Sequence, residues 1–222
     1  MEQKLPRLVI AGTNSGCGKT TVACAILQAF VNRGLKPAAC KCGPDYIDPM
    51  FHSRIIGAKA SNLDSFFFSD NTLRALLFEN SRGCGVSVIE GVMGYYDGLG
   101  LTTTRASTWE TAQKTASPTI LVVNARGAAL SVLAAVQGFL QFQPHSRIRG
   151  VILNGCTAMS YAPLAEELEA RFGIKACGYL PRLPACTLES RHLGLVTAAE
   201  VADLREKLQR LAAQAETSID LD

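Results

Sequence analysis

Lys19, Lys41, Glu90 and a set of aspartates stand in contexts suited to moving a phosphoryl group. The first is the run Gly12-Thr13-Asn14-Ser15-Gly16-Cys17-Gly18-Lys19-Thr20-Thr21. Glycines let such a loop turn its N–H groups toward phosphate oxygens, and a following helix adds the positive end of its dipole. Lys19 is then placed to reach the β- and γ-phosphates of ATP, and the Thr20 hydroxyl to hold Mg²⁺. The usual loop has one residue fewer between its first glycine and G-K-T; here Thr13 takes the expected glycine position and Gly12 precedes it.

The second cluster is Lys41-Cys-Gly-Pro-Asp-Tyr-Ile-Asp-Pro-Met-Phe-His52. Gly43-Pro44 signals a turn. Asp45 and Asp48, three residues apart, can share one face of a first helical turn. Carboxylates beside a triphosphate suit Mg²⁺, a hard cation that prefers oxygen. Lys41 adds positive charge where phosphoryl transfer needs it. The competing reading makes Asp48 a helix N-cap in a solvated loop. The third cluster is Val88-Ile-Glu-Gly-Val-Met-Gly-Tyr-Tyr-Asp-Gly98. Glu90 closes an apolar run, where an acid that ligates Mg²⁺ or its water shell belongs. Thr20, Asp48 and Glu90 therefore form the expected metal set. Asp97 reads either as an active-site acid or as a turn aspartate before Gly98.

These side chains need strands and helices to hold them. Short apolar runs at 8–11, 37–41, 86–89, 119–123, 148–153 and 176–180 read as strands. Helical spacing covers 20–32, 71–79, 108–115, 130–142, 162–172 and 198–213, with the tail from Glu216 expected to fray. This alternation predicts an α/β fold with a doubly wound, mainly parallel sheet and helices on both faces. Ligands of such sheets lie beyond the carboxyl ends of the strands, so each motif should follow a strand.

The composition sets the frame. Of 222 residues, 48% are hydrophobic and 18% charged, enough apolar surface for one sizeable core. A net charge of +3 is too weak to argue for nucleic acid. No apolar run reaches membrane-spanning length and the N-terminus lacks a signal pattern, so a cytoplasmic protein is expected. The eight cysteines form no C-x-x-C pair and read as buried free thiols.

Three blocks carry a family resemblance. The segment Lys41–His52 resembles the K-x-G-P-D-Y-I-D-P-x-x-H signature of cobyrinic acid a,c-diamide synthases. The block Val88–Gly98 is similar to their E-G-V-M-G-L-[FY]-D-G, with Tyr95 where the family often has Leu. Ser190-Arg-His-Leu-Gly-Leu195 is similar to their R-H-L-G-L. The elongated first loop is similar to that of the dethiobiotin synthetase-like group. Partition-type ATPases carry a second lysine five residues before the main one, and Asn14 occupies that place here.

The resemblance implies a P-loop ATP-dependent amidoligase domain over residues 1–222. It implies Lys19, Lys41, Asp45, Asp48, Glu90 and Asp97 in catalysis. The loop Gly12–Thr21 would bind ATP, and Asn154 and the backbone near Pro181 its adenine. Taken alone, Asn154 is either a purine-edge contact or a strand-end Asx turn. Arg191 and His192 are either substrate-carboxylate contacts or surface residues. The implied substrate is a tetrapyrrole carboxylic acid, cobyrinic or hydrogenobyrinic acid, with nickel sirohydrochlorin as the alternative macrocycle. A nucleotide-dependent switch is the competing class. Family members are about twice as long and carry a glutaminase half. None of the eight cysteines here has the elbow and His base of that half, so this chain is expected to be the synthetase half, receiving ammonia from elsewhere. A homodimer is left open.

Overall fold

Strands buried on both faces must be apolar along their whole length, and the central strands obey this. Val9, Ile10 and Ala11 of β1 (Arg7–Gly12) are fully buried, as are Val88 and Ile89 of β4 (Ser87–Glu90). The computed structural model describes residues 5–188 and 198–222. The other strands are β2 (Ala38–Cys42), β3 (Lys59–Leu63), β5 (Thr119–Asn124), β6 (Ile148–Asn154) and β7 (Lys175–Leu180). Among the described residues they form a seven-stranded sheet in the order β3-β2-β4-β1-β5-β6-β7, with every pair parallel.

Two layers of helix cover the sheet. Helices α1 (Lys19–Asn32) and α7 (Ala198–Ser218) share one face, where Val22, Ile26 and Phe30 join Leu208 and Leu211 in a single cluster. Helices α3 (Asp70–Ser81), α4 (Thr108–Lys114), α5 (Ser131–Gln141) and α6 (Ala158–Phe172) lie on the other face, with Leu73, Val132, Val136 and Leu168 in its core. The short helix α2 (Ile47–Phe51) runs into a π-helical turn, His52–Ile56. From β1 the chain goes out to β2 and β3, returns to insert β4 between β2 and β1, and then crosses to β5, β6 and β7 on the other side. The loop after β1 thus opens at the point where strand order reverses, the usual ligand crevice of such sheets.

The expected doubly wound α/β fold is the one observed. Some elements differ from expectation. Strand β3, Lys-Ala-Ser-Asn-Leu, has no apolar run because it is an edge strand and only Leu63 is buried. Helix α6 begins at Ala158, ahead of Pro163, because Thr157 and Ser160 form a reciprocal capping box. The tail does not fray. Arg33 pairs with Glu216 and Asp222 (both 2.7 Å), Ile219 bridges Gly178, and Asp220 N–H bonds Cys177 O at 2.8 Å. The block 190–195, with Arg191 and His192, lies outside the described residues.

All eight cysteines are thiols outside any disulfide, and all but Cys84 are buried. Burial pushes the Cys42 thiol up to about 12 and the Cys177 thiol up to about 11. Native-state labelling with an aromatic disulfide at pH 8 should modify Cys84 first, the other seven reacting only on unfolding. Labelling of Cys42 or Cys177 at the rate of Cys84 would contradict this packing.

Candidate functional site

The phosphate loop links β1 to α1, and its backbone supplies the binding groups. Gly18 has φ of 101°, a conformation that strains any side chain, and a Cβ there would run into the Asn154 side chain. Asn154 fills that space for a reason: its Nδ2 donates to the Cys17 carbonyl at 2.9 Å. The amide at the end of β6 thus straps the crest of the loop. Lys19 is buried and donates to the Asn14 carbonyl at 3.0 Å. Its ammonium is held below the ordinary lysine range by burial and by the nearby Lys41 charge, against the opposing pull of Cys17, Glu90 and Asp97.

Beside the loop, the ends of β2 and β4 bring three charges together. Lys41 Nζ lies 2.6 Å from Asp48 Oδ2 and 2.8 Å from Glu90 Oε1. Thr20 Oγ1 donates to the same Glu90 oxygen at 2.6 Å. Burial alone would neutralise Lys41, yet the two carboxylates outweigh it and raise the lysine above its ordinary value. Burial pushes Glu90 up, but Lys41 and His52 together hold it well below the usual carboxylate range. His52 Nε2 stands 3.3 Å from Glu90 Oε2, in ion-pair range but without hydrogen-bond alignment, which leaves Glu90 Oε2 a buried oxygen with no donor.

The remaining predicted residues fall around this centre in distinct ways. Asp45 Oδ1 accepts the backbone N–H groups of Ile47 (2.8 Å) and Asp48 (3.2 Å), so it starts the short helix that carries Asp48. The competing reading gave that helix-starting role to Asp48; the structure gives it to Asp45 and buries Asp48 against Lys41 instead. Asp45, Asp48, Lys19, Lys41, Ser15, Gly16, Thr20 and Thr21 line one cavity of about 470 Å³. Glu90 lies beneath it. Asp97 does not line it. Its Oδ2 accepts the Gly94 N–H at 2.7 Å, and it borders adjoining cavities with Tyr96. A second cavity, of about 380 Å³, shares Thr21 with the first and is lined by Asn124, Arg126, Asn154, Pro181 and Leu183.

The residues present fit a nucleotide with Mg²⁺. An orphaned buried carboxylate oxygen beside a threonine hydroxyl is a donor set for a hard cation. Among the described residues no three His, Cys, Asp or Glu side chains form a metal cluster.

Sequence reasoning missed two members of the site. His52 carried no role because nothing in its spacing reveals that a π-helical turn delivers it to Glu90. Asn62 on β3 donates to the carbonyls of Gly43 (2.9 Å) and Asp45 (2.6 Å), fixing the loop that carries both aspartates. A lone polar residue in an unrecognised strand gave no signal.

The sequence model described as "CobQ/CobB/MinD/ParA nucleotide binding domain" matches residues 8–196. The chain belongs to this family. The cobyrinate a,c-diamide synthase of Listeria innocua is 41% identical over 218 residues, covering 97% of this chain and 48% of that protein. The enzyme of that name from Thermoplasma acidophilum is 41% identical over 204 residues, 91% of this chain and 46% of the relative. The hydrogenobyrinate a,c-diamide synthase of Streptomyces coelicolor is 39% identical over 219 residues, 98% and 45%. The chain spans about half the length of the curated relatives it matches. Among solved structures, chloroplast FtsY of Physcomitrella patens superposes with a TM-score of 0.57 at 14% identity, over 94% of this chain and 66% of that one. FtsY of Elizabethkingia anophelis in complex with GDP gives 0.59 at 12% identity, over 94% and 64%. These two share the fold. Among the described residues no helix is long and apolar enough to cross a membrane.

Removing Lys41 leaves two carboxylates buried without their cation. Lys41→Met should therefore lower stability by about 3–5 kcal/mol at neutral pH. The pH sign follows from Glu90. In the wild type its lowered pKa stabilises the fold above its ordinary value of 4.5 and is lost below it. In the variant the pull of Lys41 is gone and only His52 is left to oppose burial, so the Glu90 carboxyl rises and protonation relieves the variant. Thermal unfolding from pH 8 to pH 4 should show the gap to wild type narrowing as pH falls. A gap that widens on acidification would contradict the assignment.

Proposed function

We propose that this chain is the ATP-dependent amidoligase part of an a,c-diamide synthase, acting in the cytoplasm on the a- and c-acetate carboxylates of cobyrinic or hydrogenobyrinic acid. The observation that carries the reading is the meeting of Lys19, at the start of α1, and Lys41, near the end of β2, in one cavity bounded by the phosphate loop and by Asp45 and Asp48.

A carboxylate is a poor electrophile because it is anionic. One of its oxygens attacks the γ-phosphorus of ATP, ADP departs, and an acyl phosphate forms. Ammonia then attacks the acyl carbon, phosphate leaves, and an amide with a released proton results. The chain's part is to bind, orient and neutralise. N–H groups of Gly16–Thr20 face the phosphates, and the ammonium groups of Lys19 and Lys41 meet the charge that spreads over the transferring group. Glu90 fixes the Thr20 hydroxyl and the Lys41 ammonium relative to each other. Thr20, Asp48 and Glu90 would hold Mg²⁺, which when bound supplies further positive charge to the phosphoryl oxygens. Asn154 and the backbone near Pro181 line the cavity in which the adenine would lie. The ammonia comes from a glutaminase domain or subunit. A nickel sirohydrochlorin is the alternative macrocycle.

Incubation of the chain with cobyrinic acid, ATP, Mg²⁺ and ammonium should add one or two amide groups, read by mass spectrometry. Chelation of Mg²⁺ should stop the reaction. Lys19→Ala should lower turnover ~10²-fold or more and weaken ATP binding. ATP hydrolysis indifferent to every tetrapyrrole acid, with no mass gain, would replace this reading with a nucleotide switch.

Glutamine should not replace ammonium for this chain. Seven of its eight cysteines are buried, and a glutaminase needs an accessible thiolate beside a His base. Glutamate release by the purified chain would refute this.

A further inference from the structure

Next to the phosphate cavity lies a larger cleft of about 600 Å³ with a different character. Tyr46, Phe66, Phe67, Met93 and Leu99 line it, and all five are exposed. Tyr46 shows 85% of its surface and Phe67 66%. A monomer gains nothing from leaving large apolar side chains grouped in water, and such a patch marks a place where something binds. The patch is held in shape. Asp64 Oδ1 accepts the Phe66 N–H at 2.8 Å, the Phe66 and Phe67 rings meet edge to face at 5.0 Å, and Leu99 N–H bonds the Arg105 carbonyl at 2.9 Å.

We propose that this cleft is the shelf for the macrocycle face of the substrate, a planar apolar ring system fringed with carboxylates; this rests on the amidoligase reading above. Two observations select that occupant. The cleft shares Asp45, Val92 and Met93 with the phosphate cavity, so a ring lying on the shelf can extend a short acetate arm toward Lys41 without leaving the surface. The phosphate cavity, at about 470 Å³, is smaller than this cleft of about 600 Å³ and on the amidoligase reading must also hold the triphosphate. The charge at the rim also matches. The exposed Arg105 guanidinium stands 5.5 Å from the centre of the Phe66 ring, where it can pair with a peripheral carboxylate of a ring stacked beside it. The carboxylates in the cleft wall, Asp45 and Asp64, are engaged by backbone N–H groups, which limits their repulsion of an anionic guest. The Phe residues present sequence-tolerant flat area to a flat ligand, and the few charges set its orientation.

The test uses the whole chain, cobyrinic acid as probe, and two readouts. Ammonium-supported amidation gives KM for cobyrinic acid and for ATP. Equilibrium binding of cobyrinic acid in the presence of a non-hydrolysable ATP analogue is followed by the tetrapyrrole absorbance. Phe67→Ala combined with Phe66→Ala should raise KM and Kd for cobyrinic acid about tenfold or more, with KM for ATP within about twofold of wild type. Phe67→Tyr keeps the flat area and should restore wild-type values. Arg105→Gln should weaken cobyrinic acid binding in a salt-dependent manner. Because these side chains are exposed, the variants should keep the wild-type melting temperature. Unchanged KM and Kd in the double variant, with wild-type amidation intact, overturns the shelf and leaves the amidoligase reading standing. Wild-type protein that neither amidates nor binds cobyrinic acid overturns both. Conversion of a wild-type dimer to monomer by the double variant, with no change in KM, assigns the patch to a second copy of this chain and also overturns the shelf.

Discussion

Lys41 Nζ sits between Asp48 and Glu90 with all three side chains almost closed off from water. Taking these charges out of solvent costs several kcal/mol per ion, and their mutual attraction repays this only because the distances are short and Thr20 satisfies a further lone pair. Such an arrangement is poor value as a stabiliser, since apolar residues of the same size would pack as well. What it supplies is position. One ammonium joins the ends of β2 and β4 to helix α2 and, through Glu90, to the first turn of α1. The carboxyl edge of the sheet is thereby one electrostatic unit. With one ammonium against two carboxylates, the unit also keeps unused acceptor capacity at Glu90 Oε2, which faces His52 at 3.3 Å.

The sequence made some of this readable and hid the rest for identifiable reasons. Strands β1, β4, β5 and β6 are legible because a strand covered on both faces leaves no room for polar residues. Gly-Lys-Thr-Thr between an apolar run and a helical pattern fixes the phosphate loop, since few other sequences turn N–H groups inward at a helix start. Asp48 and Lys41 were legible as strand-end charges, and topology alone predicts that strand ends share a crevice. Strand β3 escaped because an edge strand pairs through its backbone while exposing one flank, so its side chains carry no strict period. His52 escaped because its partner is chosen by the radius of one widened turn, which no residue spacing encodes. The C-terminal tail looked polar and loose, yet its charges are complementary to Arg33, just past the end of α1, and Lys175, at the start of β7.

The two cavities are joined by Asn154 as well as by the Thr21 they share. Asn154 ends β6 beside the cavity of about 380 Å³ and also holds the Cys17 carbonyl at the crest of the phosphate loop. Gly18 is required at the crossing, since any Cβ there would displace that amide. An occupant of one cavity is therefore presented to the other through a contact already made. The expected purine contact by Asn154 must be weighed with this second duty, because one of its two amide N–H groups is already engaged.

Asp97 shows how a loop can serve two cavities without lying in either floor. Its carboxylate accepts the Gly94 N–H, and Gly94 packs so closely that a Cβ would approach the Thr13 carbonyl to 2.9 Å. One residue on, Tyr95 N–H donates to the Gly12 carbonyl at 2.8 Å, while the Tyr95 hydroxyl is anchored on Ser146 O inside the core. The segment after β4 is thus pinned to the entrance of the phosphate loop at Gly12 and Thr13 and to the body of the fold at Ser146. The two loops cannot shift independently without breaking these bonds. Asp97 reaches Lys19 electrostatically from this position, opposing the fall in the lysine's pKa. Its influence on the phosphate site is consequently transmitted through charge and through the backbone clamp, and a glycine at position 94 is what lets the clamp close.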